Sequence, residues 1–300
     1  GKWGKVKGGN LRVNMVKELW KKQQVAIGGW LSIPSGISTE IMAHQEWDVL
    51  TIDMQHALVS VSDMVPMITA ISTTDVTPFV RVPWLEPGII MKALDAGSYG
   101  VICPMINTRE DAERFVSYCR YAPQGTRSFG PGRAVLYAGN DYVMQANETI
   151  LTLAMIETQK ALDNLDGILM VEGLDAVFVG PSDLGLSLGY APGNHEEPVL
   201  LEAIETILKK AKSNGKRTGI YTLTPDYAHR MKKLGYLTGF SGKWHLGPSN
   251  SSNPKHDPRA RGFEYYWTGS RESGSPNRTL DGKAVEHQDR NGLPEGIANR

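Results

Sequence analysis

Cysteine is scarce: Cys103 and Cys119 are the two that 300 residues hold. Their spacing matches no zinc-ligand pattern, and two thiols cannot build a disulfide framework, so a reducing cytoplasm with both thiols buried is the expected setting. Net charge is absent as well, with 32 basic residues balancing 32 acidic ones. No global field draws the chain toward nucleic acid or an anionic membrane, and neither is expected as a partner. No apolar run approaches the roughly 18 residues of a spanning helix, and the first twenty residues lack the apolar core of a signal peptide. The first residue is Gly1 and the first methionine is Met15. The sequence is therefore expected to be a piece of a longer chain or to open on foreign residues, and residues 1–10 are read as an extension without function.

From Val25 to about Gly235, short β-rich runs alternate with helical patterns. Such alternation marks βα units around a parallel sheet. The strand candidates are VAIGGWLSI, VLTIDMQH, TPFVRVP, GVICPMI, TILTLAMIET, DAVFVGP and RTGIYTL, with YLTGFSG as a possible eighth. Between them, PGIIMKALDAG and REDAERFVSYCRYA carry apolar residues at helical spacing. The expectation is an α/β chain folded as a (β/α)8 TIM barrel over residues 11–235. An open doubly wound sheet is the alternative, but no glycine-rich nucleotide loop follows the first strand. From Tyr236 onward only 16 of 65 residues are hydrophobic, against 41% for the whole chain. Residues 236–300 are expected to form an atypical, loop-rich segment with an incomplete eighth unit.

In a barrel of this kind, catalytic groups stand at the C-terminal ends of strands. The polar residues just past the apolar runs are Asp53 and His56 on the second, Arg81 on the third, Glu157 on the fifth, and Ser182 and Asp183 on the sixth. Glu157 and Asp183 can offer hard oxygen ligands to one divalent cation, Mg²⁺, Mn²⁺ or Co²⁺. The competing role for each carboxylate is to cap the helix that follows it. His56 can act as a general base or simply be structural. Arg81 offers a planar fork to a carboxylate or enolate oxygen, or a surface salt bridge. None of the seven strand candidates contains lysine, which disfavours a Schiff-base mechanism and leaves electrophilic work to a metal.

These residues resemble the metal-dependent 2-oxo-acid aldolases of the HpcH/HpaI type. The matching stretches are GGWLS, IDMQHALVS, VRVPWLEPGIIMKALDAG, VICPMINTREDAE, YAPQGTRS, MIETQKALDNLDGIL and LDAVFVGPSDLGLSLG, and together they span about residues 25–235. The resemblance implies a carbon–carbon lyase that splits a 4-hydroxy-2-oxo acid into pyruvate and an aldehyde, and a homo-oligomer. It implies that Glu157 and Asp183 ligate the metal, that Arg81 contacts the pyruvate oxygens, and that His56 takes part in proton transfer. Asp95 matches the acidic partner of that histidine, while Trp30 and the Ser182 backbone amide line the pyruvate pocket. Gln55 stands where many members have Glu, and Met155 where many have Gln, so both bear on substrate preference.

The stretch GKWHLG at 242–247 resembles something else: the sulfatases, over about residues 235–269. The modification motif and aspartate-rich metal site of that family do not accompany it, so it reads as a graft. Two further functional readings stay open: a catalytically inert chimera of the two parts, and a related lyase acting on a CoA ester or on oxaloacetate.

Overall fold

A computed structural model describes residues 11–234 and 236–241, together with the short strands at 265–268, 277–280 and 283–284. The elements run α1 (Met15–Lys21), β1 (Ile27–Leu31), α2 (Gly36–Ala43), β2 (Val49–Asp53), α3 (Val61–Ile71), β3 (Thr77–Arg81), α4 (Pro87–Ala96), β4 (Gly100–Cys103) and α5 (Arg109–Cys119). They continue through α6 (Gly132–Ala138), α7 (Tyr142–Thr149), β5 (Leu151–Ile156), α8 (Gln159–Asp163), α9 (Leu165–Leu169), β6 (Ala176–Val179) and α10 (Pro181–Ser187). Then come α11 (Pro198–Ser213), β7 (Arg217–Thr222), α12 (Pro225–Leu234) and β8 (Leu237–Ser241). Strands β9 (Tyr265–Thr268), β10 (Asn277–Leu280) and β11 (Lys283–Ala284) form a separate antiparallel sheet in the order β11-β10-β9.

All seven strand candidates of the sequence are strands, and YLTGFSG supplies the eighth. Every neighbouring pair from β1 to β8 is parallel, and β8 pairs with β1 from Ile27↔Thr238 to Trp30↔Ser241, so the curled sheet closes on itself. β2 to β6 are buried along their whole length, as expected for parallel strands covered on both faces. Side chains alternate between the two faces. The inward set includes Trp30, Val49, Phe79, Ile102, Leu151, Leu153, Met155, Ala176 and Phe178, joined by Val16 and Trp20 of α1. The outward set packs beneath the helices with residues such as Leu50, Ile52, Val80, Val101 and Ile156.

The interior fits large against small. A Cβ on Gly100 would lie 2.4 Å from the Phe79 ring, and one on Gly219 would lie 2.4 Å from the Phe178 ring. Local signals start the helices where the strands need to turn back. Ser60 with Asp63 and Thr108 with Asp111 form capping boxes on α3 and α5. Glu86 caps α4, which opens on Pro87 and stops at Gly97 in the left-handed region. Both cysteines are buried free thiols, and burial pushes the Cys119 thiol up to about 12. Among the described residues, no helix is long and apolar enough to cross a membrane.

Candidate active site

The inward alternation that fills the barrel also aims polar groups at one end of it. Asp53 follows Val49 and Thr51 on the inner face of β2, Arg81 follows Phe79 on β3, and Glu157 follows Met155 just past β5. Asp53 and Arg81 are register partners on adjacent strands. Arg81 Nε donates to Asp53 Oδ1 at 2.9 Å and Nη2 donates to Oδ2 at 2.6 Å. Both residues are buried, so the surface salt bridge allowed for Arg81 is instead an internal, bidentate one. Burial alone would raise the Asp53 carboxyl. The hydrogen bonds and charge of Arg81, with backbone donors from Gln55 and His56, outweigh that and hold it below its ordinary 3.8. The guanidinium carbon also lies 4.8 Å from the Trp30 ring centre.

These groups open into a cavity of about 260 Å³ lined by Trp30, Ser32, Asp53, His56, Ala57, Arg81, Met155, Gly180, Pro181, Ser182, Asp183 and Tyr221. Trp30 forms one wall, with Phe178 at 5.7 Å and Tyr221 edge-on at 5.5 Å between ring centres. Glu157 sits beneath the rim: its Oε1 accepts from the Met105 backbone at 2.8 Å, and its Oε2 lies 2.6 Å from the place a Cβ on Gly180 would take. Burial pushes the Glu157 carboxyl up to about 7, and the negative charge of Asp183 adds to the rise. Neither carboxylate caps a helix. Thr158 caps α8 after Glu157, and α10, which carries Asp183 in its first turn, has no side-chain cap.

Of the residues singled out from sequence, Trp30, Asp53, His56, Arg81, Met155, Ser182 and Asp183 share this cavity, with Glu157 at its edge. Asp95 does not join them within one chain. Its Oδ1 accepts from Arg127 Nη2 at 2.7 Å, and Arg127 in turn reaches the Tyr142 hydroxyl at 3.1 Å. Gln55 does not line the cavity either; its buried side-chain oxygen has no partner among the described groups. Two hydroxyl-bearing lining residues, Tyr221 and Ser32, escaped the sequence reading. Tyr221 shares the inward face of β7 with Gly219, so alternation along RTGIYTL would have found it. Ser32 directly follows β1.

The two carboxylates can be tested as holders of a cation. Among the described residues, no group of three or more His, Cys, Asp or Glu gathers around one point. A pair of hard oxygen donors beside an open cavity leaves coordination positions for water and ligand oxygens, as magnesium-type ions prefer. The reluctance of buried Glu157 to ionise next to Asp183 is what a bound cation would relieve. The donor set fits.

Comparison with known proteins gives the family. A family model described as HpcH/HpaI aldolase/citrate lyase matches residues 26–237. The chain belongs to this family. Its relatives include the hydroxypyruvate/pyruvate aldolase of Rhizorhabdus wittichii strain RW1, 45% identical over 217 residues that cover 72% of this chain and 86% of that protein. The 5-keto-4-deoxy-D-glucarate aldolase of Escherichia coli is 37% identical over 74% of this chain and 87% of its own length. Among solved structures, an HpcH/HpaI aldolase/citrate lyase family protein from Burkholderia cenocepacia J2315 superposes with a TM-score of 0.72 at 31% identity, over 77% of this chain and 93% of the other. The family's enzymes named here are aldolases, which are carbon–carbon lyases.

Proposed function

We propose that this chain, which we read as a (β/α)8 barrel, is a divalent-metal-dependent aldolase that cleaves a 4-hydroxy-2-oxo acid into a pyruvate-type 2-oxo acid and an aldehyde. The observation that carries this reading is the single cavity that unites a buried Asp53–Arg81 pair, His56 and a two-carboxylate edge. Glu157 and Asp183 would hold the cation. When bound, it supplies positive charge to the carboxylate and keto oxygens of the substrate.

Arg81 is held in one orientation by its two bonds to Asp53, which leaves Nη1 for a substrate oxygen. As the C3–C4 bond breaks, its electron pair ends on the keto oxygen as an enolate, and the guanidinium stabilises that growing charge without having to reorient. His56 takes the proton of the 4-hydroxyl so that the aldehyde can leave. Trp30, Tyr221 and Met155 form apolar walls that keep bulk water from the enolate carbon, which would otherwise be protonated before a reverse addition.

Purified protein incubated with Mg²⁺ or Mn²⁺ and a panel of 4-hydroxy-2-oxo acids is expected to release pyruvate. Excess chelator should abolish the release, and the added ion should restore it. Full activity in chelator, or a borohydride-trapped pyruvate adduct on the protein, would overturn the reading.

A further inference from the structure

The loop between β4 and α5 bends in a way its residues do not favour by themselves. Met105 has a φ of 55°, in the left-handed region that glycine, asparagine and aspartate enter readily and a long apolar side chain does not. The group that holds it there is Asn107, whose Nδ2 donates to the Met105 carbonyl at 3.0 Å. A carbonyl only accepts, so the amide nitrogen is the end turned to Met105, and the other end, Oδ1, accepts from the Thr158 hydroxyl. The Thr158 oxygen in turn takes the Ala161 N–H as the cap of α8. The backbone of Asn107 is spent as well. Its N–H donates to Asp111 Oδ2 at 3.1 Å, and its carbonyl accepts from Asn164 Nδ2 at 3.1 Å. Asn107 thus ties its own loop to α5, to the residue after Glu157 and to the start of α9.

Glu157 stands between the two groups that Asn107 holds. The Met105 N–H is the donor to Glu157 Oε1 at 2.8 Å, and Thr158 is the next residue in the chain. With Oε1 taken, the oxygen left over is Oε2, which faces Gly180 on the cavity wall. We infer that Asn107 is a positioning residue for the cation-holding edge: by keeping Met105 in its left-handed turn it keeps the Met105 N–H on Oε1 and so presents Oε2 of Glu157 to the cavity. The inference rests on the reading of Glu157 as a holder of the cation and names a residue that reading does not include. A carboxylate with neither oxygen engaged would turn about its last side-chain bond and would have to be ordered whenever an ion binds. One oxygen pinned by a backbone donor removes that freedom beforehand, as the hydrogen-bonded partners of metal ligands do.

The test titrates Mg²⁺ alone into each protein by calorimetry and follows hydrogen exchange of the residue 105 amide in metal-free buffer. Asn107→Ala should weaken Mg²⁺ binding by about tenfold, as loss of a group that orients a metal ligand does, while saturating Mg²⁺ restores most of kcat. The Met105 amide should lose its protection from exchange in the same variant. Adding Met105→Gly to Asn107→Ala should recover a large part of the affinity, because glycine adopts the left-handed conformation without a brace. Thr108→Ala removes the cap of α5 in the same loop. It should lower the melting temperature yet leave the Mg²⁺ affinity and the residue 105 amide as in the wild type. Unchanged Mg²⁺ affinity in Asn107→Ala, an equal loss in Thr108→Ala, or no recovery with Met105→Gly would overturn the inference. If the wild type binds no Mg²⁺ and cleaves no 2-oxo acid, the aldolase reading fails and the exchange data decide alone. Protection lost in Asn107→Ala and kept in Thr108→Ala then upholds the hold on Glu157, and equal protection in both overturns it.

Discussion

At the scale of single residues, Asp53 and Arg81 decide both stability and rate. A buried pair with two short hydrogen bonds is costly to break from one side, because the surviving charge is left without a partner. Asp53→Asn is expected to cost about 3–5 kcal/mol in urea unfolding at neutral pH. The pH dependence follows from the depressed carboxyl. The folded value lies below the ordinary 3.8, so the stabilisation is fully present above that value and is lost as pH falls through the folded one. The gap in unfolding midpoint between wild type and Asp53→Asn should therefore stay constant from pH 7 to 5 and narrow below about 4. A gap that persists unchanged to pH 2.5 would show that Asp53 is not a charged partner. Arg81→Lys keeps the charge but loses the fork. It should lower kcat by about a hundredfold, as removal of a positioned oxyanion donor does, with a smaller effect on pyruvate binding. Normal turnover with only a raised KM would contradict the role given to Arg81.

At the scale of elements, two glycines at comparable inward positions on neighbouring strands are expected to respond differently. On β7, Gly219→Ala drives a methyl group to 2.4 Å from the Phe178 ring in the barrel interior. Overpacking of this kind should cost about 1–3 kcal/mol, read as a lower melting temperature with and without Mg²⁺ alike. Just past β6, Gly180→Ala meets the flexible end of Glu157 at 2.6 Å. It should displace that carboxylate and chiefly shrink the rise in melting temperature that Mg²⁺ produces. The same parity explains what could be read from the sequence. Strands buried on both faces appear as apolar runs, and the polar residues that end those runs are the ones the barrel brings to its mouth. Asp53, Arg81, Glu157 and Asp183 were legible for that reason. Asp95 entered by resemblance alone, since its position inside α4 says nothing about which charge it will meet, and within the chain that charge is Arg127.

For the molecule as a whole, the question is where the working part ends. The sheet is closed once β8 reaches Ser241 opposite Trp30, the family match ends at residue 237, and every residue lining the cavity falls between Trp30 and Tyr221. The GKWHLG stretch, read from sequence as resembling sulfatases, lies outside the described residues, as do most of the residues C-terminal to it. The eighth strand, Leu237–Ser241 within YLTGFSG, moves the boundary a few residues past the 235 drawn from composition, because a five-residue run with three polar or glycine positions can still be held as a strand by partners on both sides. We propose that the chemistry belongs wholly to residues 11–241 and that Lys243 and His245 have no part in it. The double variant Lys243→Ala, His245→Ala should keep the aldolase rate and the Mg²⁺ dependence of the wild type, and neither protein should hydrolyse an aryl sulfate. A large fall in aldolase turnover in that variant, with the circular dichroism spectrum unchanged, would mean that the segment reaches the mouth of the barrel and that the working part extends past its eighth strand.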